Sequence, residues 1–291
     1  MSTTRVATAK TAAVCVIGDE ILSGKTRDTN TPFLARQLFD IGVDLRRVEV
    51  IPDDEADIIE TVQRMSRTYS YVFTSGGIGP THDDITYASI AKAFDDELVV
   101  HPPTLLKMAE HSPTMVTVTS PPTEDADLTA GMIRESDGAY LTTTTAARLR
   151  MAKLPSRASA AYTPGMWVPI CIANDNVHIL PGIPRLFEAM VSHYMPTLAA
   201  DAGIPFLRRA VGTMLKEGDI SDQLTVIQDR YKDAGIKVGS YPHFGVATVG
   251  PERKRERVTV TVTGRDHALV EQATEEIVLA IQGFRHHHAQ L

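Results

Sequence analysis

Three times in its first hundred residues this chain passes from a short apolar run through a polar turn into a segment of helical period. Ala12 to Ile17 is an unbroken apolar run closed by Gly18, the pattern of a strand buried on both faces. Asn30 to Ile41 follows, with Phe33, Leu34, Leu38 and Ile41 at helical spacing, Pro32 in the first turn and Gly42 just past the end. Leu45 to Ile51 then reads as a strand and Asp54 to Ser66 as a helix. Tyr71 to Thr74 reads as a third strand, ended by Ser75-Gly76-Gly77, and Thr86 to Phe94 as a helix. This alternation predicts right-handed crossovers and a three-layer α/β/α domain around a mostly parallel sheet. Ligands of such sheets bind beyond the carboxyl ends of the strands, so the polar loops after Ile17 and Thr74 are expected to open on one edge.

Beyond Phe94 the rhythm changes. Ser112 to Pro164 carries SPTMVTVTSPP, a TTTT run and the basic LRMAKLPSRAS, and is expected to be a long excursion from the domain. Its cations Arg148, Arg150, Lys153 and Arg157 fit either a solvated face or a lid over an anionic ligand. Trp167 to Ala173 and Val177 to Leu180 return as a strand pair about Asn174-Asp175-Asn176, and Pro181-Gly182-Ile183-Pro184 introduces a helix through about Tyr194. A boundary falls near Ala200 to Pro205. Past it, strand Phe206 to Leu215, helix Ile220 to Tyr231, strands Lys237 to Tyr241 and Val258 to Thr263, and helix His267 to Ile281 make a small α/β unit. The expected organisation is therefore a flexible stretch at 1–11, a domain at 12–200 with an insertion at about 112–164, a small domain at 206–284 and a tail at 285–291. The charged run Glu252 to Arg257 is expected at a hairpin tip.

Composition narrows the function classes. The 291 residues are 43% hydrophobic with a net charge of −7, so the chain can bury a sizeable core and is not dominated by disorder. The acidic balance argues against a dedicated nucleic-acid binder but leaves room for an anionic small molecule, which backbone amides hold without net positive charge. Cys15 and Cys171 lie in apolar runs without metal-ligand spacing, and the histidines at 286–288 are too few to define a metal site. No apolar run reaches membrane-spanning length and no secretory core precedes Gly18. The expectation is a soluble cytoplasmic protein, with a mitochondrial address as the alternative.

The strongest local signal is Thr74-Ser75-Gly76-Gly77-Ile78-Gly79-Pro80-Thr81-His82-Asp83-Asp84. Glycines after a buried strand let the backbone turn sharply and aim N–H groups at phosphate oxygens, and carboxylates beside them suit a divalent cation. A plain turn whose acids cap the next helix is the structural alternative. The dinucleotide fingerprint and the Walker pattern are both absent, and Gly-Pro stands where a pyrophosphatase-type ATP loop has Asp-Ser. Three further loops belong to the same expected edge: Gly18-Asp19-Glu20, with Asp28 and Asn30 opening the helix; Pro52-Asp53-Asp54; and Leu180-Pro181-Gly182-Ile183-Pro184.

The segments GDEILSGKTRDTNTPFLARQL, VIPDD, TSGGIGPTHDDIT and LPGIP, in this order, resemble the MoaB/Mog-like molybdopterin-binding domain family. This fold is shared by molybdopterin adenylyltransferases, competence/damage-inducible protein A and the amino-terminal region of eukaryotic FAD synthase. Val238-Gly239-Ser240-Tyr241-Pro242 extends the likeness to the last of these. The resemblance implies a catalytic or metal-associated Asp84 and a second acid at Asp53. It also implies a phosphate-cradling loop at Ser75, Gly76, Gly77, Gly79 and Thr81, with Gly18, Pro181 and Gly182 as neighbouring walls. A cation (Mg, Mn or Co, with a monovalent companion as an option) is expected at Asp84, Asp83, Asp19 and Glu20, with His82 as a candidate proton donor. It further implies a small-molecule nucleotide or pterin ligand and a homo-oligomer, dimer or trimer. The leading expectation is metal-dependent hydrolysis of FAD to FMN and AMP, or of ADP-ribose. The alternatives are molybdopterin adenylylation or binding in molybdenum cofactor biosynthesis, and a non-catalytic pterin or dinucleotide sensor. FMN adenylylation is not expected of this chain alone, because no ATP-using segment follows the small domain.

Overall fold

The computed structural model describes residues 9–111, 145–243 and 256–286, and the backbone of 117–119, 132–135 and 138–143. The expectations for 1–8, for the remainder of 112–144, for the charged run at 252–255 and for His287 and His288 lie outside the described residues. The described residues divide into two compact units between Gly203 and Ile204.

The first unit runs β1 (Thr11–Ile17), α1 (Asp19–Leu22), α2 (Asn30–Asp40), β2 (Asp44–Ile51), α3 (Glu55–Thr68), β3 (Tyr71–Ser75), α4 (Thr86–Ala93), β4 (Leu98–Val100) and α5 (Pro102–His111). It continues through β5 (Thr117–Thr119), β6 (Met132–Glu135), β7 (Gly138–Thr143), α6 (Ala146–Arg150), β8 (Lys153–Pro155), β9 (Ser159–Ala161), β10 (Ile170–Ala173), β11 (Val177–Leu180) and α7 (Pro184–Ala202). Six strands form one sheet in the order β2-β1-β3-β11-β10-β9. The first four are parallel, and β10 and β9 are antiparallel additions. β1 and β3 are buried along almost their whole length, as continuous apolar strands in a covered parallel sheet must be. Successive crossovers move in opposite directions across the sheet, from β1 to β2 and then back past β1 to β3. Right-handedness therefore places their helices on opposite faces. α2 packs against α7 and α3 against α4, giving three layers. Leu34 and Leu38 of α2, Ile58, Val62 and Met65 of α3, and Phe187 of α7 supply the buried stripes, each worth roughly 1.5–3 kcal/mol of removed apolar surface.

The excursion read between Ser112 and Pro164 is narrower than its sequence suggests. β5, β6 and β7 form a separate three-stranded antiparallel sheet, but β8 pairs with β4, and β9 is the edge strand of the main sheet. β9 is Ser-Ala-Ala and has no apolar period of its own; its partner β10 determines its place. The strand read from Trp167 starts at Ile170. α7 runs on to Ala202 through Pro196, because Met195, Leu198 and Ala202 continue its buried stripe.

The second unit runs β12 (Leu207–Thr213), α8 (Glu217–Tyr231), β13 (Lys237–Pro242), β14 (Val258–Gly264), α9 (His267–Ala280) and β15 (Phe284–Arg285). Its sheet is antiparallel, in the order β13-β14-β12-β15, with a core of Val211, Ile220, Val260, Val262, Val270 and Ile277.

Candidate functional site

The chain order reverses at β1, which has β2 on one side and β3 on the other, so the carboxyl ends of β1 and β3 flank a crevice. Gly18 leaves β1 at that point, its N–H donating to the Ile51 carbonyl at 3.1 Å. Gly76 leaves β3 with φ 116°, and a Cβ on it would lie 2.1 Å from the Ile17 carbonyl oxygen. Only glycine satisfies both the dihedral and the close approach. The Gly76 N–H donates to the Leu180 carbonyl at 3.2 Å, and a Cβ on Gly182 would fall 3.3 Å from Gly76 Cα. The Pro181-Gly182 turn therefore presses on the glycine loop as a second wall. Thr86, the first residue of α4, holds the loop from its other end. Its hydroxyl donates to the Gly76 carbonyl and its amide to the Gly77 carbonyl, both at 3.0 Å. The N–H groups of Gly77 and Ile78 have no acceptor among the described residues and remain as donors for an anion.

One residue of this framework, expected only at a helix start, does more. Asn30 is 5% exposed, and its Nδ2 donates at 2.9 Å both to Ser75 Oγ and to the Gly182 carbonyl, joining the two loop walls. Asp28 caps α2 instead, accepting from the amides of Asn30 and Thr31 at 2.9 and 3.1 Å. The signal was present in the spacing: Asn30, Leu34 and Leu38 share one helical stripe, and a polar side chain on a buried stripe must find partners inside.

The acids divide by role. Asp84 turns inward: its Oδ1 accepts from the Gly79 amide at 2.6 Å, and its Oδ2 from the Thr81 amide and hydroxyl at 2.8 and 2.5 Å. Its carboxylate thus stitches Gly79 and Thr81 into a closed turn. Asp53 lies between the other two loops, with Oδ2 accepting from the Asp19 amide at 3.0 Å and Oδ1 within 3.5 Å of a Cβ built on Gly77. Burial lifts the Asp53 carboxyl above its usual range, and the charges of Asp19, Glu20 and Asp83 add to the lift. Asp19 and Glu20 open α1 and are exposed, as is Asp83. His82 is 98% exposed, with Nδ1 4.0 Å from Asp83.

Among the described residues no three His, Cys, Asp or Glu side chains make a group able to hold a metal ion. The donor set nevertheless fits a cation that arrives with phosphate. Magnesium-like ions use one or two carboxylates and complete their shell with phosphate oxygens and water. A cation beside Asp53 would also relieve the mutual repulsion that lifts its carboxyl. Asp53 with Asp19, Glu20 or Asp83 would hold it.

Two of the four basic residues of the expected lid or solvated face, Arg157 and Arg150, have different partners. The Arg157 guanidinium lies 3.5 Å from Asp96 and donates to the Phe94 and Asp95 carbonyls. Arg150 instead reaches the glycine loop, donating to the Thr81 carbonyl. It lines a cleft of about 170 Å³ together with Gly79, His82, Asp84, Tyr87 and Leu98.

A parallel sheet with a glycine loop and acids at its switch point defines a class of small-ligand α/β domain. Residues 13–200 match the model described as "Probable molybdopterin binding domain", and 205–285 the model described as "FAD synthase, middle domain". The chain belongs to the molybdopterin-binding-domain family, as its loop motifs indicate. A probable FAD synthase of Caenorhabditis elegans is 34% identical over 254 residues, which cover 83% of this chain and 46% of that protein. A CinA-like protein of an Anaeromyxobacter species is 27% identical over 270 residues, 89% of this chain and 60% of that protein. The crystal structure of CinA, a protein of unknown function from Thermoplasma acidophilum, matches 65% of this chain and 98% of its own, with TM-score 0.52 and 29% identity. This chain therefore spans about half the length of the FAD synthase it matches. No helix among the described residues is long and apolar enough to cross a membrane.

Proposed function

We propose that this chain is a nucleotide pyrophosphatase that hydrolyses FAD to FMN and AMP, or ADP-ribose to ribose 5-phosphate and AMP. The observation that carries this reading is the position of Asp53. It is a half-buried carboxylate at the switch point, crowded by Asp19, Glu20 and Asp83 and facing Gly77. A bare phosphate would be repelled there, whereas a cation-bound pyrophosphate would be held. A divalent cation in this acid set supplies charge neutralisation and polarisation of the phosphoryl oxygens.

The residues divide the rest of the work. The Gly77 and Ile78 amides bind phosphate oxygens, Asp84 keeps that loop in shape, and Asn30 fixes the distance between the loop and the Pro181-Gly182 wall. Asp53 Oδ1, not engaged by the Asp19 amide, accepts a proton from the attacking water as its oxygen bonds to phosphorus and the bridging P–O bond breaks. The leaving group departs as a phosphate anion, so the solvated His82 contributes little.

Incubating the chain with FAD and ADP-ribose over Mg, Mn and Co and resolving AMP by chromatography tests the reading. Absence of AMP with every cation would overturn it. The family of residues 13–200 supports a second reading, molybdopterin adenylylation, in which ATP and molybdopterin are consumed together. Assembly as a dimer or trimer belongs to the same proposal and is read by light scattering.

A further inference from the structure

One cation approaches the glycine loop from a distant part of the chain. Arg150 ends α6, 69 residues from Thr81, and its guanidinium donates to the Thr81 carbonyl. It is exposed and, among the described residues, forms no direct ion pair, although its charge helps Thr81 and His82 hold the Asp83 carboxyl below its usual range. A guanidinium carries five N–H donors in a planar fork, and one carbonyl engages only part of that capacity. Arg150 lines the cleft that Gly79, His82 and Asp84 border on the loop side and Ile85, Tyr87 and Leu98 on the apolar side.

The loop therefore has unlike ends. Near Gly77 stand Asp53 and the Gly18-Asp19 turn, which favour a phosphate that brings a cation. Near Thr81 stands a guanidinium supplied by the protein itself, beside an Asp84 carboxylate already satisfied by the Gly79 and Thr81 donors and an Asp83 carboxylate that its charge reaches. A single phosphate would meet one end only, whereas a diphosphate laid along the loop from Gly77 toward Thr81 would present a phosphate to each. Planar, bidentate recognition of phosphate is what the arginine fork provides and a lysine does not.

We propose that Arg150 is the specificity-determining anion clamp of this site, selecting a nucleoside diphosphate over a monophosphate. The substrate class rests on the pyrophosphatase reading, but the test does not.

ADP and AMP are titrated by calorimetry, in the presence of magnesium, into the wild-type chain, Arg150→Gln and Arg150→Lys. Wild type is expected to prefer ADP. Arg150→Gln should lose roughly ten- to a hundredfold in ADP affinity, the worth of a charge-assisted contact, with AMP nearly unchanged. Arg150→Lys should recover only part of the loss. Wild-type ADP affinity in Arg150→Gln would overturn the assignment. An equal loss for ADP and AMP, or no ADP binding by wild type, would overturn it as well. Arg150-dependent ADP binding without AMP release from FAD would leave the clamp standing and remove the hydrolytic reading. FAD hydrolysis with unaltered ADP binding in Arg150→Gln would do the reverse.

Discussion

One edge of the first unit treats its acids differently from the second unit. In the second, carboxylates are matched to cations. Glu271 meets Arg209 and Arg285, Glu275 meets Arg285, and Glu276 takes a bond from Arg230 at 2.5 Å and another from the Tyr231 hydroxyl. Glu256 is shared by His286 and, more loosely, by His243. In the first unit Glu49, Glu55 and Asp96 are likewise paired, with Arg64, Lys92 and Arg157, but Asp19, Glu20 and Asp53 gather at the end of β1 and β2 with no ion-pair partner among the described residues. Paired acids lower the energy of a fold; acids held together without cations raise it, and such strain persists where a ligand relieves it. The same residue type is thus structural where it is paired and a candidate for chemistry at this one edge.

The largest effect that can break this contrast is at Asp53. Asp53→Asn should reduce kcat for AMP release from FAD by about 10³-fold, the middle of the range for loss of a general base. Its thermal midpoint should stay level or rise, because the substitution removes repulsion. An active variant refutes the role of Asp53, and an unfolded one refutes the contrast. Gly76→Ala tests the backbone that holds the acids in place. With φ 116° and the Ile17 carbonyl in the way, it should cost about 3 kcal/mol in urea unfolding, with loss of turnover. A neutral result would mean that the loop can adopt another path.

A third test concerns a group that the first unit buries without charge. His178 on β11 stacks on Phe73 at 4.9 Å, and burial pushes its pKa down to about 4. The unfolded chain, with an ordinary value near 6.5, binds the extra proton first as pH falls. Stability from this residue is therefore complete above pH 6.5 and declines between about 6.5 and 4. The loss reaches about 3 kcal/mol at roughly 1.4 kcal/mol per unit. Urea midpoints at pH 7 and pH 4.5 should separate less in His178→Phe than in wild type; equal separations would contradict this account. The smallest effect belongs to the second unit. Glu271→Ala leaves Arg209 without this partner and Arg285 with Glu275, and should lower stability by about 1 kcal/mol without touching FAD hydrolysis. A loss of turnover there would show that the units are coupled in function.

Much of the first unit was legible in the chain because its strands are buried on both faces and its loops carry glycine. Ile17-Gly18, Ser75 to Gly79 and Pro181-Gly182 all came to the edge that strand alternation indicated. Asn30 was read as part of a helix start, although its place on the Leu34 and Leu38 stripe marked it as buried. Asp84 stood out as an acid beside glycines, and its inward turn toward Gly79 and Thr81 is a local bond that spacing does not reveal. β9 had no readable pattern, because its position comes from pairing with β10.

By itself the sequence determined the order of strands and helices, the right-handed crossovers and therefore the edge on which the polar loops meet, since burial period and chain chirality are local properties. Only the tertiary structure decided which polar groups serve the loop and which face its ligand. Arg150 reaches Thr81, Asn30 spans Ser75 and Gly182, and Asp53 stands between Asp19 and Gly77. These partners lie from 24 residues (Asp53 to Gly77) to 152 residues apart in the chain. Contacts of that range are created by packing and leave no period along the chain for sequence to show.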